Sequence, residues 1–114
     1  MTRAAAARPV DGFADRVLSV VERIPAGYVM SYGDVAEYLG ERGPRQVGRV
    51  MALWGGGVAW WRVIHADGTP PPGHERAAYE HYRAEETPLR SHDPAVRVDM
   101  SRARWPGGSG MLEA

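Results

Sequence analysis

The chain has 114 residues, the size of one domain with one modest core. It contains no cysteine, which excludes disulfides, thiolate nucleophiles, zinc ribbons and iron–sulfur clusters. Fourteen basic residues, every one an arginine, balance fourteen acidic ones; that argues against a bulk polycation but leaves room for a local basic patch.

Met1–Arg8 carries an alanine run without the apolar stretch of a signal peptide, and no apolar segment approaches the ~18 residues of a spanning helix. The expected location is therefore cytoplasmic, with no membrane partner. Residues 1–9 read as a flexible leader, 10–105 as a single domain, and the Gly/Ser-rich 106–114 as a flexible tail.

Phe13, Val17, Val20, Val21 and Ile24 recur at helical spacing, which predicts a first amphipathic helix stopped by Pro25-Ala26-Gly27. Tyr28-Val29-Met30 reads as a short extended piece. Ser31 followed by Asp34 resembles a capping box, so a second short helix starts there, buries Val35, Ala36 and Leu39, and ends at Gly40. Pro44 suits the first turn of a third helix, whose inner face is Val47, Val50, Met51 and Trp54 and which Gly55-Gly56-Gly57 terminates. Two short helices joined by a Gly-containing turn form a helix-turn-helix, a pattern that plain core packing also produces.

Val58–Ile64 is apolar and bulky and reads as a strand, with Asp67-Gly68 as a turn. Thr69–Gly73 (TPPPG) is a rigid connection and Glu75–Glu86 a helix with Ala78 and Tyr82 inward, closed by Pro88. Ala95–Met100 alternates like an edge strand or wing, and Trp105 packs back onto the core.

Charge is uneven along this layout. Arg42, Arg45, Arg49 and Arg62 face only Glu41 in their segment, whereas Glu75–Glu86 is net acidic. Arg45 and Arg49 share one side of the third helix, with Gln46 adjacent, which suits phosphate contacts. The four histidines have no metal-ligand spacing, and His81 and Glu85 read as exposed polar neighbours on one helix face. No metal and no cofactor is expected, and no serine lies in a hydrolase motif.

Three blocks occur in order: IPAGYVMSYGDVAEYLG, GPRQVGRVM and AWWRVIHADG. Together, from Val17 to Gly68, they resemble the C-terminal DNA-binding domain of 6-O-alkylguanine-DNA alkyltransferases, whose corresponding motifs are I-P-x-G-x-x-x-S-Y, x-R-x-V-G and P-C-H-R-V. The resemblance implies an α/β, mostly α, winged helix-turn-helix domain. Trp60 stands where the family has its alkyl-accepting Cys, Trp61 where it has the activating His, and Ala59 where it has the Pro. An indole cannot replace a thiolate as acceptor.

The chain therefore is similar to the alkyltransferase-like proteins, which bind alkylated guanine in duplex DNA without repairing it and pass it to nucleotide excision repair proteins. The resemblance implies no catalytic residue. It implies DNA contacts at Ser31, Tyr32, Gly33, Arg45, Gln46, Gly48 and Arg49, with Tyr32 pressing on the 3′ phosphate and Arg45 replacing the flipped base. It implies a lesion pocket of Tyr32, Trp60, Trp61 and Arg62, with Trp60 expected inward because neighbouring strand residues face opposite ways. Trp54 stands where the family has an Asn linking the helix pair to the active-site strand. Two other classes remain open: a winged-helix transcription regulator of undamaged DNA, and a protein-interaction module that kept the fold.

Overall fold

The computed structural model describes residues 12–107; the expected leader and most of the expected tail lie outside them. The elements in order are α1 (Gly12–Arg23), β1 (Met30–Ser31), α2 (Tyr32–Leu39), α3 (Pro44–Trp54), β2 (Val63–Ile64), α4 (Glu75–Glu85), β3 (Leu89–Ser91), β4 (Arg97–Val98) and α5 (Met100–Ala103). Two 3-10 turns, Gly55–Gly57 and Trp60–Arg62, join α3 to β2. The fold is α/β and mostly helical, a helix-turn-helix followed by a two-stranded wing.

Capping fixes where the helix pair begins and ends. Asp34 N–H donates to Ser31 Oγ at 2.9 Å while Ser31 N–H donates to Asp34 Oδ2 at 3.0 Å, a full capping box on α2. Gly40 closes that helix in the left-handed region at φ 73°. At the start of α3, Gln46 Oε1 accepts from Gly43 N–H at 3.1 Å and Pro44 occupies the first turn. The turn between the helices is pinned to α1 twice. Arg16 makes a two-pronged ion pair with Glu41 at 2.7 and 2.9 Å, and the Arg42 guanidinium lies 4.4 Å above the Phe13 ring.

The short parallel pair β1–β2 divides the interior (Met30 opposite Val63, Ser31 opposite Ile64). Successive strand side chains point to opposite faces. Met30 and Val63 join the core of α1, α2 and α3 around Phe13, Val17, Val21, Val35 and Val47. Val29 and Ile64 join a second core under α4, with Ala78, Tyr82, Val98 and Ala103. Trp105, 5% exposed, returns to the first core, and its N–H donates to Val29 O at 2.8 Å.

Several sequence expectations are corrected here. The stretch 58–64 is not a strand throughout: Trp60–Arg62 is a 3-10 turn, because Arg62 N–H bonds to Ala59 O, and only Val63–Ile64 pairs in a sheet. The final strand has an antiparallel partner, β3, that periodicity did not reveal (Leu89 opposite Val98). Helix α4 matches its expected span: it runs to Glu85 ahead of Pro88, and its cap Glu86 adopts φ 60° so that its N–H reaches the carbonyls of Tyr82 and Arg83.

Gly68 is buried at φ 92° beside the wing, and a Cβ there would lie 2.4 Å from Val98 O. Gly73, at φ 86°, would meet nothing within 4 Å. Gly68→Ala is expected to cost about 2–4 kcal/mol and Gly73→Ala about 1 kcal/mol, strain alone, in urea unfolding; equal costs would contradict the close approach of the wing.

Candidate DNA-lesion site

A cavity of about 720 Å³ opens between α3 and the segment that follows β2. Helix α3 supplies Arg45, Gly48 and Met51 to its lining, the start of α2 supplies Tyr32, and Trp60, Val63 and His65 come from the 3-10 turn, β2 and the residue after it. Pro71, Pro72 and His74 come from the proline-rich connection. Apolar walls with a few convergent polar groups are the usual make-up of a ligand site.

Tyr32 is the first residue of α2 and half-buried; burial raises its phenol above the ordinary value, so it stays a neutral donor near pH 7. Its ring meets His65 edge-on at 5.2 Å. Gly48 faces it from α3, where an added Cβ would lie 4.0 Å from the Tyr32 ring. Arg45 and Arg49 are exposed on the same helix, and neither makes an ion pair or hydrogen bond among the described residues.

The other residues expected at the site do different work. Ser31 is 4% exposed and its hydroxyl accepts from the Asp34 amide, so it caps α2. Gln46 folds back to cap its own helix through Oε1. Trp60 lines the cavity; Trp61 and Arg62 do not. The 3-10 turn, rather than strand alternation, separates the two indoles, whose rings stand at 87° and 5.5 Å.

Trp61 and Arg62 belong to a polar knot behind the cavity, centred on Glu85. Trp61 Nε1 donates to Glu85 Oε2 at 2.9 Å, Arg62 Nη2 and Nε donate at 2.6 and 3.1 Å, and Gly27 N–H donates at 3.0 Å. Arg62 Nη1 also donates to Ile24 O at 2.8 Å. The pair is largely enclosed, with side-chain exposures of 18% and 12%. His81 stacks on Trp61 with centroids 3.5 Å apart, and Tyr82 OH donates to Trp61 O at 2.8 Å. Neither Glu85 nor His81 is the exposed helix-face residue that spacing suggested, since the turn at Trp60–Arg62 packs on that face of α4. A largely enclosed arginine requires a carboxylate partner, and only the fold shows that Arg62 is enclosed and that Glu85 is that partner.

A profile of the DNA-binding domain of 6-O-methylguanine DNA methyltransferase matches residues 12–87. The chain belongs to that family. Within it, the domain is similar to the DNA base-flipping protein of Escherichia coli K12, 45% identical over 62 residues, 52% of this chain and 48% of that protein. A DNA base-flipping protein of Vibrio parahaemolyticus is 34% identical over 62 residues, 52% of this chain and 62% of that protein. The domain's match thus spans about half the length of the E. coli relative. S. pombe Atl1, solved with damaged DNA containing O6-carboxymethylguanine, superposes with a TM-score of 0.72 at 27% identity, covering 85% of this chain and 97% of that one. A second S. pombe structure, of an ATL in complex with DNA, gives 0.71.

Burial pushes the Glu85 carboxyl up, but donors from Arg62, Gly27 and Trp61 together outweigh it and hold the group below the ordinary carboxylate value. A depressed folded-state value means stability that is present above the unfolded value of 4.5 and lost as pH falls through the folded one. Glu85→Gln is expected to cost about 2–4 kcal/mol near pH 7, by leaving Arg62 without its counter-charge, and to flatten the acid limb of thermal stability. An acid limb as steep in the variant as in the parent would show that other carboxylates set it.

Proposed function

We propose that the domain binds duplex DNA carrying a 6-O-alkylguanine, rotates the damaged nucleotide out of the stack, and holds the base in the cavity beside Trp60 without reacting with it. The observation that carries this reading is the convergence of Tyr32, Arg45 and Trp60 on one cavity that opens at the exposed basic side of α3. The solved complex of Atl1 with damaged DNA and the base-flipping relatives support it.

The parts have compatible chemistry. Arg45 stands in the first turn of α3, where the helix dipole and the exposed Arg49 one turn on both favour phosphate. A long, planar guanidinium can enter the vacated stack and donate in several directions. Tyr32 can press on the backbone beside the flipped nucleotide. Extrusion costs a few kcal/mol, less for a poorly paired adduct, and contact with the indole of Trp60 offsets part of it.

The same site is inert toward alkyl transfer. That reaction needs a thiolate, and the chain contains no cysteine; Trp60 offers one N–H donor and no nucleophilic lone pair. The domain's product is then a stable protein–lesion complex, which serves as a mark for nucleotide excision repair proteins. Arg42 and Arg62, which the sequence placed in the basic cluster, are committed to Phe13 and Glu85. The phosphate-facing charge is thus borne by Arg45 and Arg49.

Gel shifts with matched duplexes test the reading. Binding is expected to be tighter for 6-O-methylguanine than for guanine, and Arg45→Ala and Tyr32→Phe are each expected to weaken it about 10-fold or more with little change in melting temperature. Equal affinity for unmodified duplex would favour a transcription regulator, and negligible affinity for any duplex at low salt a protein-interaction module. Radiolabelled methyl groups are expected to remain on the DNA; label on the protein would end the non-enzymatic reading.

A further inference from the structure

Three residues of α4 hold the turn at Trp60–Arg62, each in a different way. Tyr82, fully buried, donates its hydroxyl to Trp61 O at 2.8 Å and so holds the backbone. Glu85 accepts from Trp61 Nε1 at 2.9 Å and so holds one edge of the indole. A single hydrogen bond at Nε1 leaves the indole free to tilt about that point. His81, one turn before Glu85 on the same side of α4, supplies the missing constraint. Its ring lies parallel to the Trp61 indole, at 3° with centroids 3.5 Å apart, and covers the indole face with almost no lateral offset.

His81 also reaches Trp60 itself. The two rings meet edge-on at 84° with centroids 6.0 Å apart, while Trp60 stands at 87° to Trp61. Trp60 lines the cavity; Trp61 and His81 do not. His81 is half-buried, and among the described residues its imidazole makes no hydrogen bond or ion pair. What it contributes is a flat ring seated in the corner between the two indoles. Tyr82 belongs to the buried core and Glu85 to the enclosed ion pair, so both serve the fold. His81 belongs to neither.

We propose, resting on the lesion-binding reading above, that His81 is a positioning residue for Trp60 and sets how strongly the pocket prefers a damaged base over guanine. Stacking of a base on an aromatic ring depends on tilt and spacing. His81 fixes both for the Trp60 indole without touching the bound base. Phosphate contacts through Arg45 and Arg49 are made from α3 and do not depend on it. Loss of the ring therefore lowers affinity for the lesion and leaves affinity for unmodified duplex in place.

Fluorescence anisotropy with labelled 6-O-methylguanine and guanine duplexes, on the full chain and two variants, tests this role. His81→Leu keeps the bulk of the side chain and favours the helix but removes the flat ring; His81→Phe restores a ring. His81→Leu is expected to lower the ratio of lesion to guanine affinity about 3- to 10-fold with guanine affinity unchanged, and His81→Phe to return the ratio to within about 2-fold of the parent. Near-ultraviolet circular dichroism of the free proteins gives a second readout, since its bands come from fixed aromatic rings. The indole bands are expected to weaken in His81→Leu and recover in His81→Phe at an unchanged melting temperature. An affinity ratio or indole bands in His81→Leu equal to the parent's overturn the proposal. So does an equal fall in both affinities that follows a lower melting temperature, which marks a merely structural residue. A parent that binds the two duplexes alike overturns the lesion reading, and the role of His81 with it.

Discussion

The arrangement of this domain depends on one carboxylate. Glu85, at the last turn of α4, accepts hydrogen bonds from the Trp61 indole, from the Arg62 guanidinium and from the Gly27 amide. Arg62 carries the link onward to the carbonyl that ends α1. Three segments distant in sequence meet at this group: the α1–β1 loop, the 3-10 turn before β2, and α4. A largely enclosed ion pair contributes little net stability against a well-packed apolar alternative, but breaking it leaves a charge with nowhere to go. Its value is geometric, since it fixes the turn that carries Trp60.

That turn decides which indole faces the cavity. Trp61 is held from behind by Glu85 and by the His81 ring stacked on it, and Trp60 stands at right angles to it. The floor of the pocket is a supported aromatic wall rather than a loose side chain. Supported positions matter where a planar ligand is to be recognised, because looseness of about an ångström weakens contacts that depend on alignment. The front wall is fixed independently, by the capping box of α2, by the Gln46 side chain that accepts from Gly43 N–H at the start of α3, and by the contacts that bind their connecting turn to α1.

The two-residue strands have a role out of proportion to their length. By sending Met30 and Val63 one way and Val29 and Ile64 the other, β1 and β2 join the helix-turn-helix core to the core under α4 and the wing. The cavity lies along this seam, between α3 and the segment leaving β2. Ligand sites commonly form at such junctions, where two packed units meet and neither fills the gap.

The sequence by itself determined the helices, the capping residues Ser31 and Gly40, the inward faces at Val17, Val47 and Tyr82, and the absence of any thiol at the place of the acceptor. Those are local properties: periodicity, cap chemistry and residue type are all written along the chain. It also pointed to Tyr32, Arg45 and Trp60, through motifs whose order and spacing are specific. Tertiary structure alone decided that Trp61 and Arg62 turn away from the cavity, that Ser31 and Gln46 are spent on capping, and that His65 and His74 enter the lining. It alone showed Glu85 to be a largely enclosed counter-ion rather than a solvated helix charge. Each of these depends on which partner a polar side chain meets across long separations, such as the 23 residues from Arg62 to Glu85, and no local pattern encodes that partner.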